Sequence, residues 1–339
     1  NEGQDAPGGG VFVYQNATLL RSLIANNSAD GDGGGLFKGQ LANGSFATFT
    51  IQDSTIAGNT AGGSGGALYS QWPVTITNST IADNDSALGG AVRLNLYERD
   101  YYGYFVRGWP DVESTIIAGN TAGPAPVYAA DLTTVPALTV FGAPNLIGDA
   151  DADITLPSDT LRGDPQLLPL ADNGGFTKTM ALAPGSPAID AGSNLLGLVA
   201  DQRGGNFVRV VGAAADIGAY EVQPAPMPGR RLIAAPAIRT NATGPSGGSP
   251  SLLPVTSCAD DGSPGTLRAV PAEAHDGDTL DLTQLTCSTI TLVHGAIDTS
   301  ILGPNPLDHL TVIVPGEDAL TISANGTSAI FVTGGDYRS

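Results

Sequence analysis

Apolar and polar residues alternate in short runs through the first part of this chain, with no helical period, and one phrase recurs four times. It reads Ser22-Leu-Ile-Ala-Asn26, Ser54-Thr-Ile-Ala-Gly-Asn59, Ser79-Thr-Ile-Ala-Asp-Asn84 and Ser114-Thr-Ile-Ile-Ala-Gly-Asn120. Between the copies stand glycine pairs with an apolar tail: Gly9-Gly10-Val11, Gly34-Gly35-Leu36, Gly65-Gly66-Ala67 and Gly89-Gly90-Ala91, at spacings of 25, 31 and 24 residues. A period near 25 with two-residue alternation predicts an all-β parallel solenoid, a β-helix of short stacked strands. One coil is too small to bury its own apolar face, so coils must stack.

The alternation places Thr55 and Ala57 on one face of a strand and Ile56 on the other. Stacking predicts an interior ladder of isoleucines 24, 56, 81 and 116, and a turn ladder of Asn26, Asn59, Asn84 and Asn120 at the strand ends. Asparagine suits that place because it tolerates the left-handed region and can hydrogen-bond along a stack. The glycine pairs admit positive φ at a corner. Two stretches exceed a minimal coil, 36–53 and 93–113. The second carries Tyr97, Tyr101, Tyr102, Tyr104, Phe105 and Trp109. Extra residues in a solenoid leave as loops, so this aromatic group is a candidate binding surface for carbohydrate, or a cover for the solenoid flank.

These repeats resemble the right-handed parallel β-helix proteins of bacterial surfaces, and are similar to the repeats of chlamydial polymorphic outer-membrane proteins. Two further stretches carry the resemblance. Leu168 to Gly192, with Ser186-Pro-Ala-Ile-Asp-Ala-Gly192, then Asp201-Gln-Arg-Gly-Gly205 and Asp216-Ile-Gly-Ala-Tyr-Glu221, looks like that family's C-terminal cap. Cys258-Ala-Asp-Asp-Gly-Ser-Pro-Gly-Thr-Leu-Arg268 with Gly277-Asp-Thr-Leu-Asp-Leu282 looks like its N-terminal cap. The resemblance implies a right-handed β-helix and secretion to the cell surface more firmly than it implies an activity.

Composition narrows the function classes. The net charge is −19, with 14 Lys and Arg in 339 residues and lysine only at 38 and 178. No basic stripe exists for nucleic acid or anionic membrane. Charged residues make up 14% and apolar residues 41%, which fits a polar, uncharged surface around a real core. No apolar run is long enough to be a signal peptide or a membrane span, so export is an expectation from the family.

The chain divides into coils at 1–135, terminal coils and cap at 136–222, a Pro/Gly/Ser linker at 223–250 and a second block at 251–339. In the second block, 266–274 predicts a short amphipathic helix facing Leu267 and Val270 inward, followed by strands at 279–282, 289–292, 310–314, 320–322 and 329–332. Cys258 and Cys287 are the only cysteines, and in an exported protein they most simply form one disulfide.

Several groups invite chemistry. Asp149, Asp151 and Asp153 alternate like a Ca²⁺ loop, or a solvated acidic turn. No other cofactor is called for. Asp190, Asp201, Arg203, Asp216 and Glu221 resemble a catalytic set, but buried ion pairs and turn-capping carboxylates explain them better. Sequons at Asn16, Asn43, Asn78, Asn241 and Asn325, with two more at Asn26 and Asn84, are open to glycosylation in a host that glycosylates exported proteins. Histidines 275, 294 and 309 show no metal-ligand spacing with the cysteines.

The order of the pieces is unusual, because the C-terminal cap precedes the N-terminal one. Block 251–339 therefore belongs before residue 1, giving a β-helix assembled from two chain segments in permuted order. About 28 linker residues at roughly 3.3 Å each reach some 90 Å, while about ten coils at roughly 4.8 Å rise some 50 Å, so the block can return to its own chain. It can equally complete a neighbour, or belong to a longer tandem array. The expected function is an extracellular structural protein, a head-to-tail homopolymer or surface fibre joined by segment exchange. The alternatives are a carbohydrate-binding adhesin and, behind it, a polysaccharide lyase or hydrolase. The latter needs convergent groups that the Ser/Thr/Asn/Ala-rich strands do not present, so the chain reads as no enzyme.

Overall fold

The computed structural model describes residues 8–14, 16–39, 47–96, 109–123, 128–135, 137–224, 251–274, 278–287, 289–294, 297–298, 311–313, 321–323 and 331–333. Every strand pair among them is parallel, apart from isolated antiparallel bridges in 167–208. Each coil contributes up to four short strands. The longest sheet runs Leu132–Val135, Val92–Asn95, Leu68–Ser70, Leu36–Lys38, Val11–Val13, Phe331–Thr333, Ile297–Asp298. A second runs Asp111–Glu113, Val74–Thr77, Phe49–Gln52, Ala17–Leu20, and a third Leu146–Ile147, Ile116–Ile117, Thr80–Ala82, Thr55–Ala57, Leu23–Ala25. A fourth, of two-residue strands, holds Thr121–Ala122, Asp85–Ser86, Thr60–Ala61 and Ser28–Ala29. Val11 pairs with Leu36, Leu36 with Leu68, Leu68 with Val92 and Val92 with Leu132, so successive coils take 25, 32, 24 and 40 residues. The two long coils are those containing 36–53 and 93–113.

The core is the inward half of each alternation. Leu36, Leu68, Val92 and Leu132 come from the long sheet, Phe49, Ile51, Val74, Ile76 and Val112 from the second, and Ile56, Ile81, Ile117 and Ile147 from the third. The expected isoleucine ladder holds at 24, 56 and 81 but passes through Ile117, because Ile81 pairs with Ile117 and Thr80 with Ile116. The fourth copy has one residue more than the third. Thr115 therefore takes the serine's place, and Ile116 turns to the outer face.

Two side-chain ladders run along the corners. Oγ of Ser54 accepts from the N–H of Ser22, Ser79 from Ser54, Thr115 from Ser79, and Asn145 Oδ1 from Thr115. At the next corner Asn59 Oδ1 accepts from the N–H of Asn27, Asn84 from Asn59, Asn120 from Asn84, and Asp131 Oδ1 ends the series by accepting from Asn120. The first rung is thus Asn27, not Asn26. Asn26 takes φ 58° in the left-handed position that Gly58, Asp83 and Gly119 fill in later coils. The positive φ of the glycine corner falls within the expected pairs at Gly65 (75°), Gly89 (105°) and Gly90 (75°), and one residue before them in the first two coils, at Gly8 (81°) and Gly33 (78°).

In the second block, Thr279–Asp281 lies between Leu252–Pro254 and Thr311–Ile313, and Thr289–Thr291 pairs with Thr321–Ser323. The predicted helix at 266–274 is only a 3-10 turn, Val270–Glu273. Pro271 removes an N–H that a longer helix would need at its first turn's end. Leu267 and Val270 still face the block's core, with Val255, Leu280, Leu282 and Ile290. Phe331–Thr333 pairs in register with Val11–Val13, so the block meets the first coil through the long sheet.

Candidate functional site

The surface with the most converging chemistry is one flank of the solenoid. Each turn from the second to the third sheet places one residue in the left-handed region: Arg21 (φ 48°), Asp53 (46°), Asn78 (47°) and Ser114 (48°). Parallel stacking turns these four into a row. The segment 164–222, expected to seal the end of the stack, instead runs back along this flank as a strap. Residues 138–161 close the end. The strap covers the outward face of the third sheet, where Ile116, Ala118 and Leu146 pack with Leu182, Ala188 and Ile217, and Ala57 and Ala82 pack with Met180. Such an apolar outer face cannot be left to solvent.

Contacts along the row are specific. Ser193 N–H donates to Ser114 Oγ (3.1 Å), its hydroxyl donates to Glu113, and Gly218 N–H donates to Ser114 O (2.8 Å). Ala219 N–H donates to Thr80 Oγ1 (3.0 Å), and Thr55 Oγ1 donates to Gln202 Oε1 (2.6 Å). A Cβ on Gly218 would stand 2.8 Å from Thr80 Oγ1 and 2.9 Å from Ile116, so only glycine allows this approach. Arg209 is fully buried and donates from Nη2 to Asn78 Oδ1 (3.0 Å) and Asp216 O (2.9 Å).

The strap has almost no regular strand of its own, and its carboxylates supply the missing acceptors. Asp190 accepts the N–H groups of Ala213 and Ala214, Asp201 those of Arg203 and Glu221, Asp216 those of Asp190 and Val222, and Glu221 those of Val211 and Asp216. Asp201 also binds the Arg203 guanidinium, Nη2 to Oδ2 at 2.6 Å, and that guanidinium lies between the rings of Phe207 (4.0 Å) and Tyr220 (3.9 Å). The five residues that looked catalytic are therefore brought together as the strap's internal hydrogen-bond frame. Burial pushes Glu221 up to about 7 and Asp216 above the usual carboxylate range, against the pull of the backbone donors.

Under the strap, Asp53 is fully buried, and neither of its carboxylate oxygens has a hydrogen bond among the described residues. Arg21 Nε lies 4.0 Å away. Burial raises Asp53 to about 6, while the Arg209 and Arg21 charges pull it down. Asp131, at the end of the asparagine ladder, is likewise raised by burial. A second buried charge went unforeseen: Lys38 faces into the solenoid between Val13 and Ser70, donates to Tyr14 O, and is lowered by burial to about 7. Its in-register place at an inward position of Leu36–Lys38 was the available signal.

The remaining expected sites are separate from the flank. Tyr97, Tyr101, Tyr102 and Tyr104 lie outside the described residues. Trp109 is 49% exposed and sits edge-on to Phe141, 48% exposed, with centroids 5.6 Å apart. Asp149, Asp151 and Asp153 are not gathered as a ligand set, and among the described residues no three His, Cys, Asp or Glu side chains are placed to hold a metal. Cys258 and Cys287 form a disulfide. Of the sequons, Asn16 is half-buried and accepts from Thr48, whereas Asn78 is buried against Arg209, so a glycan there is incompatible with the docked strap. Asn43, Asn241 and Asn325 lie outside the described residues.

No protein family, curated protein or solved structure matches this chain.

Proposed function

We propose that this is an extracellular structural protein, a right-handed β-helix of the bacterial surface type whose copies join head to tail by exchanging block 251–339. The observation that carries the reading is the in-register pairing of Phe331–Thr333 with Val11–Val13. A strand that completes its own chain through main-chain hydrogen bonds can complete a neighbour through the same bonds. In that arrangement block and coils form one permuted stack, with the 223–250 linker as the connection. The disulfide fits an oxidising, extracellular compartment. A non-catalytic role is supported by the strap carboxylates, each of which accepts two backbone N–H groups.

The test is a cysteine pair at the joint, Phe12→Cys with Val332→Cys, which are partners in register. Oxidation followed by a non-reducing gel should give a ladder of covalent multimers. A single band of cross-linked monomer would mean that the block closes on its own chain, and the fibre reading would fall.

A second reading, an adhesin that binds surface carbohydrate, draws on the exposed Trp109 and Phe141 rings beside the predicted aromatic loop. Glycan binding lost in Trp109→Ala would favour it.

A further inference from the structure

Beneath the strap, three charged side chains of the corner row and the strap carry polar atoms that the chain does not satisfy. Asp53 Oδ1 and Oδ2, Arg209 Nε and Nη1, and Arg21 Nε are all buried without a hydrogen bond among the described residues. Asp53 and Arg209 are fully buried as whole residues. The backbone fixes where these groups stand. Arg21 N–H donates to Gln52 O (3.0 Å) and Asp53 N–H to Thr77 O (3.1 Å), which sets Arg21, Asp53 and Asn78 in successive places of the row. Arg209 Nη2 is held by Asn78 Oδ1 and Asp216 O. Its guanidinium therefore cannot swing onto Asp53 without giving up both bonds. The charges of Arg209 and Arg21 act on Asp53 with a favourable sign, and that of Asp201 with an unfavourable one.

Buried groups of this kind are costly unless something completes their hydrogen bonds. The set holds two acceptor oxygens and three donor nitrogens, and this mixture selects the molecule that completes it. A small anion would serve the guanidiniums but be repelled by Asp53. A cation would serve Asp53 but be repelled by Arg21 and Arg209. Water donates to the one and accepts from the others. We infer that the space between Asp53, Arg209 and Arg21 is a buried hydration site, in which ordered water joins the strap to the coils. Five unsatisfied atoms at about three hydrogen bonds per water require about two waters. Arg21 Nε and Asp53 Oδ2 stand 4.0 Å apart, too far for a hydrogen bond, yet one water at about 2.8 Å from each spans the gap. Exchange with bulk solvent runs past Arg21, whose side chain is 37% exposed at the strap's edge beside Gly204. The strap thus has two kinds of seat: a dry one on Ile116, Ala118 and Leu146, and a wet one over Asp53.

A crystal structure of the full chain, at a resolution that shows ordered solvent, tests the site directly. About two waters should lie within hydrogen-bond distance of Asp53 and of Arg209 Nε or Nη1. A direct Arg209–Asp53 ion pair with no solvent density between them would overturn the inference. A second crystal soaked in bromide separates water from an anion: an anomalous peak at this place would also overturn it. In solution, oxygen-17 magnetic relaxation dispersion counts long-lived internal waters. The double variant Asp53→Leu with Arg209→Met replaces the charged groups by apolar ones and should lose about two of them. An unchanged count in a variant with native circular dichroism would count against the site, and if the variant does not fold, the crystal structure of the unaltered chain decides.

Discussion

Arg209 of the strap and Asn78 of the third coil, 131 residues apart in sequence, meet at 3.0 Å between Nη2 and Oδ1, both buried. This bond joins the strap to the corner row, and Arg209 is also the main positive charge facing Asp53. Replacing Arg209 with Ala leaves Asp53 buried beside Arg21 alone and is expected to cost roughly 3–5 kcal/mol. The midpoint of urea unfolding measures this. Hydrogen exchange should show the loss concentrated in 188–222, and a uniform loss over the coils would contradict the assignment.

The buried carboxylates set a pH dependence. Asp53 and Glu221 have folded values of about 6 and about 7, above unfolded values near 4. The folded state therefore binds their protons more tightly. The stability they contribute is present below about pH 4 and is lost as pH rises through 6 and 7. Melting temperature should fall between pH 5 and 7, and Asp53→Asn should reduce the fall. A melting temperature that rises over this interval would count against these values.

Lys38 acts in the opposite sense over a higher range. Its folded value of about 7 lies below the ordinary lysine value near 10.4, so the fold favours the neutral amine. Its contribution is fully present above about pH 10 and is lost as pH falls toward 7. Stability should thus rise again from pH 7 to 9, and Lys38→Met should flatten that limb while leaving the carboxylate limb in place. Paired melting series on the two proteins check it.

Asn84 is an interior rung, fully buried, whose amide donates to Ile56 O, Ala82 O and Asn120 Oδ1 while its oxygen accepts from Asn59. Asn84→Ala strands several buried groups and should cost about 3 kcal/mol or more. Asn27→Ala, at the half-buried first rung, should cost about 1 kcal/mol. Equal losses in chemical unfolding would mean the ladder does not act as a stack.

The Cys258–Cys287 bond closes a loop of 29 residues. Its removal by Cys258→Ser and Cys287→Ser should lower stability by about 3–4 kcal/mol in the chain-entropy view. Amides in 252–292 should lose protection, and those in the strap should not.

The repeat phrase alone determined the solenoid, the parallel stacking, the inward isoleucines at 24, 56 and 81 and the asparagine corner, because a two-residue alternation repeated at a near-constant interval has few other ways to bury its apolar half. It could not decide single-residue register. Ile116 and Ile117 are chemically alike, as are Asn26 and Asn27, and which of each pair turns inward depends on the strand it meets in the next coil. Nor could the motifs between Ser186 and Glu221 show what they rest on. Read in sequence they are a cap with catalytic-looking carboxylates. Only the tertiary structure laid them along the flank, because the outward Thr55, Ala57, Ile116 and Ala118 needed cover, and turned Asp190, Asp201, Asp216 and Glu221 into acceptors for a strap with little strand structure of its own.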